Sequence, residues 1–263
     1  MEPDEAFIRA FLNACASGDL SSTQEAISSG RLSTENLDEG LERAAREAHP
    51  DVVSILFDAG ARAISAKDWL TGTQPQMPGI IRQFFDHGLD PNSSLSNGEP
   101  FLCILRNPAS AREFLLRGAD PNCCSPRARF PFATGESPLA RALKSVSGED
   151  LSMVELLLAY GAKLESHLLF RVIDRRVREM EFTTKFLLAN GLDPNTTHEI
   201  LGTPLHRAIA LGLTDIIKVL LDAGADRTAR PAGTPHHDES PLQLAERSES
   251  PAKQAMLDIL GSE

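Results

Sequence analysis

Apolar residues recur along the chain with helical spacing, and each apolar run stops at a glycine. Leu, Ile, Val and Phe stand at i, i+3 and i+4, the pattern of a helix with one buried face. The glycines that end the runs are Gly30, Gly60, Gly88, Gly118, Gly161, Gly191 and Gly224. They lie 28 to 33 residues apart, except for one interval of 43. A pattern that returns at this period predicts an internal repeat.

The residues around these glycines explain why a helix should end there. A glycine after the last apolar turn can adopt the left-handed conformation that closes a helix. After Gly88, Gly118 and Gly191 the sequence continues within two residues as Asp-Pro-Asn, which cannot prolong a helix and favours a turn. Each repeat is therefore predicted to end in a helix, a glycine and a turn.

A second motif marks the start of several repeats. It reads GTPLHRAIA at 202–210, ESPLARAL at 136–143, ESPLQLAE at 239–246 and, more weakly, EPFLCIL at 99–105. Ser or Thr can cap the helix, and proline fits the first helical position, where no amide hydrogen bond is lost. Each repeat is thus predicted to contain a turn, a short helix, a bend and a second helix.

This unit resembles the ankyrin repeat, most fully from Gly202 to Arg230. The resemblance implies an all-α ankyrin-repeat solenoid of stacked helix-turn-helix units with hairpin-like loops. Two of the repeats lack the TPLH start, and a third replaces it with SHLLF. We expect a single domain over 1–263, because one repeat cannot bury its apolar face alone. The predicted repeats are an N-terminal cap at 5–30, then 37–66, 67–95, 97–124, 135–166, 167–197 and 200–230, and a C-terminal cap at 239–263.

Composition narrows the function. The chain has 263 residues, 41% of them hydrophobic, and a net charge of −11, which argues against nucleic-acid and anionic-membrane partners. No stretch approaches the ~18 apolar residues of a membrane span, and the acidic N-terminus is unlike a signal peptide. The four cysteines lack a disulfide or metal spacing and are interpreted as inert reduced thiols. These features predict a protein of the cytoplasm or nucleus.

Arginines recur on the first helices of the repeats. When these helices are aligned on Leu41, Leu139, Leu169 and Leu205, an arginine follows two residues later in each, namely Arg43, Arg141, Arg171 and Arg207. In the ankyrin pattern this position is variable and faces the concave side. Lys144 and Arg175 lie one helical turn further on, and Arg106 is a further candidate. Planar guanidinium groups suit carboxylate or phosphate, so the row predicts a groove for an anionic partner. The alternative is that each arginine pairs with a neighbouring acid, such as Asp174.

The loop after Asp120 is about ten residues longer than its equivalents in the other repeats. It carries Arg127, Phe130 and Phe132, which we include among the candidate binding residues because long loops in compact arrays are often functional. The alternative is that the two phenylalanines fold back to cover a neighbouring repeat.

Other candidate chemistry favours structural roles. His206, in TPLH, is expected to hydrogen-bond within and between turns, as the family resemblance implies, and Cys103 occupies the equivalent place in its own repeat. The run His236-His237-Asp238-Glu239 lacks the remote ligand of a metal site. No phosphate loop, GxSxG elbow, HExxH motif or catalytic dyad is present. We expect no cofactor and no metal.

The sequence therefore favours a protein–protein interaction module, an adaptor or regulatory scaffold, over an enzyme. The expected partner is a protein, acidic or phosphorylated, bound on the concave face; a small anionic ligand is also compatible. The alternative is a small-molecule-binding protein or unorthodox enzyme. It would use a concave pocket lined by Arg141, Arg171 and Arg207 under the 123–135 loop, where polar groups converge.

Overall fold

A computed structural model describes residues 3–63, 68–71, 76–126, 135–231 and 239–261. Within these residues the chain forms helices and turns, without an extended strand, which confirms the all-α prediction. The helices are α1 (Pro3–Ser17), α2 (Leu20–Ser28), α3 (Thr34–Arg46), α4 (Pro50–Asp58), α5 (Pro78–Asp86), α6 (Phe101–Ile104), α7 (Pro108–Leu116), α8 (Pro138–Ser145), α9 (Ser152–Ala159), α10 (His167–Val172), α11 (Met180–Ala189), α12 (Pro204–Ala210), α13 (Thr214–Asp222), α14 (Pro241–Arg247) and α15 (Lys253–Gly261).

The chain divides into two compact units. The N-terminal unit comprises Met1–Arg127 with Thr134–Pro138, and the C-terminal unit comprises Ala128–Ala133 with Leu139–Glu263. Helices α1 to α7 lie in the N-terminal unit; α8, apart from Pro138, and α9 to α15 lie in the C-terminal unit. The single continuous domain stays a prediction.

Each of the seven repeat glycines has a positive φ, between 66° and 98°. At Gly60 the amide donates to the Phe57 carbonyl at 2.9 Å, and the Ala61 amide donates to the Leu56 carbonyl at 3.0 Å. This pair of bonds is the Schellman motif, which satisfies carbonyls at the end of α4. The residue after the glycine, Ala61, is buried, so the turn packs against the core. The same two bonds recur at Gly88, Gly118, Gly161, Gly191 and Gly224.

The starts of α12 and α14 follow the Ser/Thr-Pro signal. Thr203 caps α12 in a capping box with His206, and Ser240 caps α14 with Gln243. His206 is fully buried, and its Nε2 lies 3.1 Å from the carbonyl oxygen of Glu239 in the next repeat. A carbonyl can only accept, so Nε2 carries the proton, and Nδ1 accepts from the Thr203 amide at 3.4 Å. The structure thus gives His206 the hydrogen bonds expected of a structural histidine.

Consecutive turns are linked by the asparagine of Asp-Pro-Asn. In the N-terminal unit Asn92 donates to the Gly118 carbonyl at 3.4 Å and accepts from the Asp120 amide at 2.9 Å. In the C-terminal unit Asn195 makes the same pair of bonds, to Gly224 and Asp226. One side-chain amide therefore satisfies a backbone donor and a backbone acceptor of the next turn.

The two irregular repeats of the N-terminal unit have shortened first helices. A single 3₁₀ turn, Trp69–Thr71, precedes α5, and α6 has only four residues. Aromatic rings fill the space: Trp69 is 3% exposed and stacks on Phe84 at 4.1 Å, and Phe84 meets Phe57 edge-on at 5.1 Å. Aromatic packing replaces the missing helical turns in this part of the core.

Candidate functional site

The leucines used to align the first helices all occupy the core. Leu41 on α3, Leu139 on α8, Leu169 on α10 and Leu205 on α12 are each at most 1% exposed. The arginine two residues later therefore lies about 200° further round its helix, since each residue turns the helix by about 100°. Its environment differs from one repeat to the next.

Burial of these arginines increases in the C-terminal unit. Arg43 is a surface residue, with 39% of its side chain exposed and an ion pair to Glu39 at 2.8 Å. Arg141 on α8 is partly buried. Arg171 is only 5% exposed, and the side chain of Arg207 is 13% exposed. A buried guanidinium group needs polar partners within the protein. Arg171 and Arg207 therefore contribute to the stability of the C-terminal unit as well as to its positive charge.

Arg207 reaches the bend that follows α10. Its Nε donates to the carbonyl of Ile173 at 2.7 Å, and its Nη2 lies 3.6 Å from the carboxylate of Asp174. Asp174 also accepts from Arg176, at 2.9 Å from Nε and 2.7 Å from Nη2. The hydrogen bonds from Arg176 hold the pKa of Asp174 far below its usual range, assisted by the charge of Arg207 and against the effect of burial. The carboxylate is therefore ionised at physiological pH.

Arg175 links the same bend to the next repeat. Its Nε donates to the carbonyl of Leu211 at 3.1 Å, and its Nη2 donates to the same oxygen. The residue is nevertheless exposed, as are Arg176 and Arg178. The bend 173–179 between α10 and α11 thus presents three arginines to solvent, held at two points to the repeat that follows.

Two histidines lie in the electrostatic field of these arginines. Burial is the main cause of the lowered pKa of His167, and the charge of Arg171 lowers it further, whereas Glu165 opposes the shift. Burial also lowers the pKa of His198, with Arg207 and Arg171 adding to the effect and Glu199 opposing it. Both imidazoles are therefore neutral at pH 7, and the positive charge of the region belongs to the arginines.

The structure places the predicted site residues in different parts of the fold. Arg171, Arg175 and Arg207 come together around the bend 173–179, and Arg141 and Lys144 lie on α8 of the same unit. Arg106 belongs to the N-terminal unit, where its amide donates to Gln76 at 2.9 Å and its side chain is exposed. The remaining predicted residues, Arg127, Phe130 and Phe132, lie outside the described residues.

Three contributors to this region are absent from the prediction. Arg176 shares Asp174 with Arg207, Arg178 adds exposed charge, and His198 lies beside the ring of Phe170 at 5.3 Å. The run of arginines in RVIDRRVR at 171–178 is the sequence signal for the first two. His198 shows no such signal, because it joins the region through the turn that precedes α12.

Comparison with known proteins identifies the repeat. Residues 202–231 match the family model of the ankyrin repeat. This part of the chain is an ankyrin repeat, and the fold of the chain is that of ankyrin-repeat domains. Its fold is shared with the human ASB11 ankyrin repeat domain, with a TM-score of 0.50 and 20% identity over 100% of both chains. The ankyrin repeat domain of Bcl-3 has a TM-score of 0.46 and 22% identity over 96% of this chain and 98% of that one. No curated protein is significantly similar in sequence.

Ankyrin-repeat domains are generally protein–protein interaction modules. No three His, Cys, Asp or Glu side chains among them are grouped to hold a metal ion. Of the metal candidates in the sequence, His236, His237 and Asp238 lie outside the described residues. None of the described helices is both long and apolar enough to cross a membrane.

An open depression of about 450 Å³ lies in the N-terminal unit. Two of its lining residues are linked, since Asp68 accepts from the Ser96 amide at 3.1 Å and the Ser96 hydroxyl at 2.7 Å. The lining residues are Arg46, Glu47, Asp68, Thr71, Leu95, Ser96 and Asn97. They include none of the predicted site residues.

Proposed function

We propose that this ankyrin-repeat protein is an adaptor or regulatory scaffold that binds an acidic or phosphorylated segment of a partner protein. The proposed site is an arginine cluster, defined as Arg171, Arg175, Arg176, Arg178 and Arg207. The exposed Arg175, Arg176 and Arg178 would contact the partner, and the buried Arg171 and Arg207 add positive charge. Arg141 and Lys144 on α8 would extend it along the concave face that the family resemblance implies.

The observation that carries this proposal is the local charge. Residues 171–178 contain four arginines and one acid, Asp174, so the segment has a formal charge of +3 in a chain of net charge −11. The carboxylate of Asp174 is already occupied by Arg176 and Arg207. A positive patch on a negative protein attracts anionic segments and directs them to one place on the surface.

The geometry also lowers the cost of binding. Asp174 orients Arg176 and Arg207, and the Leu211 carbonyl orients Arg175, so these side chains lose less freedom when a partner binds. The bonds from Arg175 to Leu211 use Nε and Nη2, whereas Nη1 takes no part in them. A guanidinium group held in this way still offers N–H donors in the planar arrangement that matches carboxylate or phosphate.

Synthetic peptides test the proposal directly. Three labelled peptides of one length would be titrated with the full chain: one rich in glutamate, one with phosphoserines, and one neutral with Gln and Ser. We expect the glutamate or phosphoserine peptide to bind, more weakly as salt is raised, since salt screens exposed charges. Binding of the neutral peptide with equal affinity, or no binding of either anionic peptide, would contradict the proposal.

A further inference from the structure

Two cysteines of the N-terminal unit lie side by side. Cys103 on α6 is buried, Cys123 in the turn after α7 is partly exposed, and their sulfur atoms are 3.7 Å apart. Cys124 is exposed, and Cys15 is buried on α1. None of these four cysteines, all of which the structure describes, forms a disulfide.

Cys103 stands at the position that the TPLH histidine holds in another repeat of this chain. In the repeat that begins at Gly202, His206 bonds the carbonyl of Glu239, 33 residues downstream. In the repeat that contains α6, the Cys103 thiol lies 3.7 Å from the carbonyl of Glu136, again 33 residues downstream. Both glutamates precede a Ser-Pro-Leu helix start. The Cys103 thiol therefore makes the inter-repeat contact that an imidazole makes in the repeat beginning at Gly202.

The replacement changes the chemistry available at this position. An imidazole fills the space and donates a strong hydrogen bond, whereas a thiol is smaller and a weak donor. Cys103 Sγ also lies 4.0 Å from the Cys123 carbonyl oxygen. Cys103 therefore contacts both the main chain and the sulfur of Cys123. At this position His206 has no thiol chemistry, whereas Cys103 forms a dithiol pair with Cys123.

We propose that Cys103 and Cys123 form a reversible intrachain disulfide when the protein meets a peroxide. The sulfur atoms need to approach from 3.7 Å to about 2.05 Å, a change within reach of side-chain rotation and a small shift of the exposed turn. The bond would close a loop between positions 20 residues apart. Such a cross-link stabilises the folded chain by restricting the unfolded one.

The order of the steps follows from exposure. The Cys123 thiolate attacks hydrogen peroxide and becomes a sulfenic acid, with the other peroxide oxygen leaving as hydroxide, which takes up a proton to give water. Cys103 sulfur then attacks the sulfenic sulfur, the disulfide forms, and a second water leaves with the Cys103 proton. Two thiols and one peroxide thus give one disulfide and two waters. The one proton of the Cys103 thiol can point to Cys123 Sγ or to the Glu136 carbonyl. Its hydrogen bond to Cys123 lowers the pKa of Cys123, against the effect of burial, which favours the first step.

Oxidation also changes the contact between repeats. Once its proton has gone, Cys103 can no longer donate to the Glu136 carbonyl, which keeps the bond from the Ser125 amide at 3.1 Å. The disulfide therefore exchanges a weak hydrogen bond between α6 and the segment before α8 for a covalent bond between α6 and the turn after α7. A thiol reductant restores the original arrangement.

Thiol counting and peptide mapping test the proposal. The reduced full chain would be treated with hydrogen peroxide, quenched, denatured and titrated for thiols. We expect the count to fall from four to two, with a Cys103–Cys123 peptide that reductant separates. A Cys124→Ser variant should fall from three to one, while Cys123→Ser should keep all three thiols under the same brief treatment. Cys123 and Cys124 lie outside the helices, so these two variants are expected to fold. A Cys103→Ser variant is avoided because it would change a buried residue of α6.

Other patterns of oxidation would overturn the proposal. Four remaining thiols, a link between Cys123 and Cys124, or dimers through Cys124 with Cys103 still reduced each contradict it. The same treatment in urea provides the reference, because an unfolded chain has no reason to prefer the Cys103–Cys123 pair. We expect the Cys103–Cys123 disulfide to be preferred only in the folded protein. The oxidised form should also have a higher melting temperature than the reduced form.

Discussion

The guanidinium of Arg207 lies 3.6 Å from the carboxylate of Asp174 and donates to the carbonyl of the adjacent Ile173 at 2.7 Å. One side chain on α12 thus holds the bend that follows α10 in the preceding repeat. The same bend carries the exposed arginines of the proposed binding site. Stability and recognition are therefore coupled at this point.

Arg207→Ala should destabilise the protein by about 1–3 kcal/mol, because the Ile173 carbonyl and the Asp174 carboxylate lose a partly buried donor. Urea unfolding measures the effect. Arg178→Ala, on the exposed part of the same bend, is the matched control and should change stability by less than about 0.5 kcal/mol. Equal effects of the two substitutions would show that Arg207 only decorates the surface.

Asp174→Asn should reduce stability at pH 7 by about 1–2 kcal/mol, a modest value because Arg176 is 76% exposed and solvent screens its charge. The pKa of Asp174 is lowered in the folded state, so its stabilising effect is complete above the ordinary Asp pKa of about 3.9 and is lost as pH falls below it. The stability difference between wild type and variant should therefore narrow below about pH 4. A difference that stays constant from pH 7 to pH 3 would contradict this account.

Two glycine substitutions should differ sharply. A Cβ at Gly135 would lie 1.6 Å from the Ser125 carbonyl oxygen, so Gly135→Ala must displace the backbone that pairs Ser125 with Glu136. A Cβ at Gly60 meets nothing within 4 Å, and Gly60→Ala carries only the cost of its positive φ, about 1–2 kcal/mol. We expect Gly135→Ala to lower the melting temperature more. The reverse order would show that the contact at Ser125 is relaxed at little cost.

The buried Cys15 should be alkylated more slowly than the exposed Cys124. Burial raises the pKa of the Cys15 thiol to about 11, so at pH 8 the folded chain should resist alkylation at Cys15. Cys124 is exposed and should react readily. Iodoacetamide labelling followed by peptide mass analysis measures both positions. Equal labelling of Cys15 and Cys124 in the native protein would mean that α1 opens easily.

Much of the fold could be predicted from sequence because its signals are local. A glycine after an apolar run marks the end of a helix, and Ser/Thr-Pro before an apolar run marks the start. All seven repeat glycines have the positive φ that this prediction requires. The shortened first helices before α5 and in α6 were harder to anticipate. There, packing of Trp69, Phe84 and Phe101 compensates for helix that the local sequence does not form.

The candidate site was predictable only in part, since its key contacts join distant residues. Alignment on the leucines indicates the arginine row, but not that Arg207 folds onto Ile173 and Asp174, 34 and 33 residues earlier. The same limit applies to Cys103 and Cys123, which were interpreted from spacing as inert thiols. Only the packing of a turn against α6 brings the two sulfur atoms together.

The most direct test of the account compares two variants with equal charge change. Arg175→Glu with Arg178→Glu reverses two exposed arginines of the arginine cluster; Arg112→Glu with Lys218→Glu reverses two exposed cations on α7 and α13. Fluorescence anisotropy with the phosphoserine peptide would measure affinity for wild type and both variants. We expect the first variant to bind at least about tenfold more weakly, with the control near wild type. Equal affinity of the two folded variants would contradict an anion-binding role for the arginine cluster.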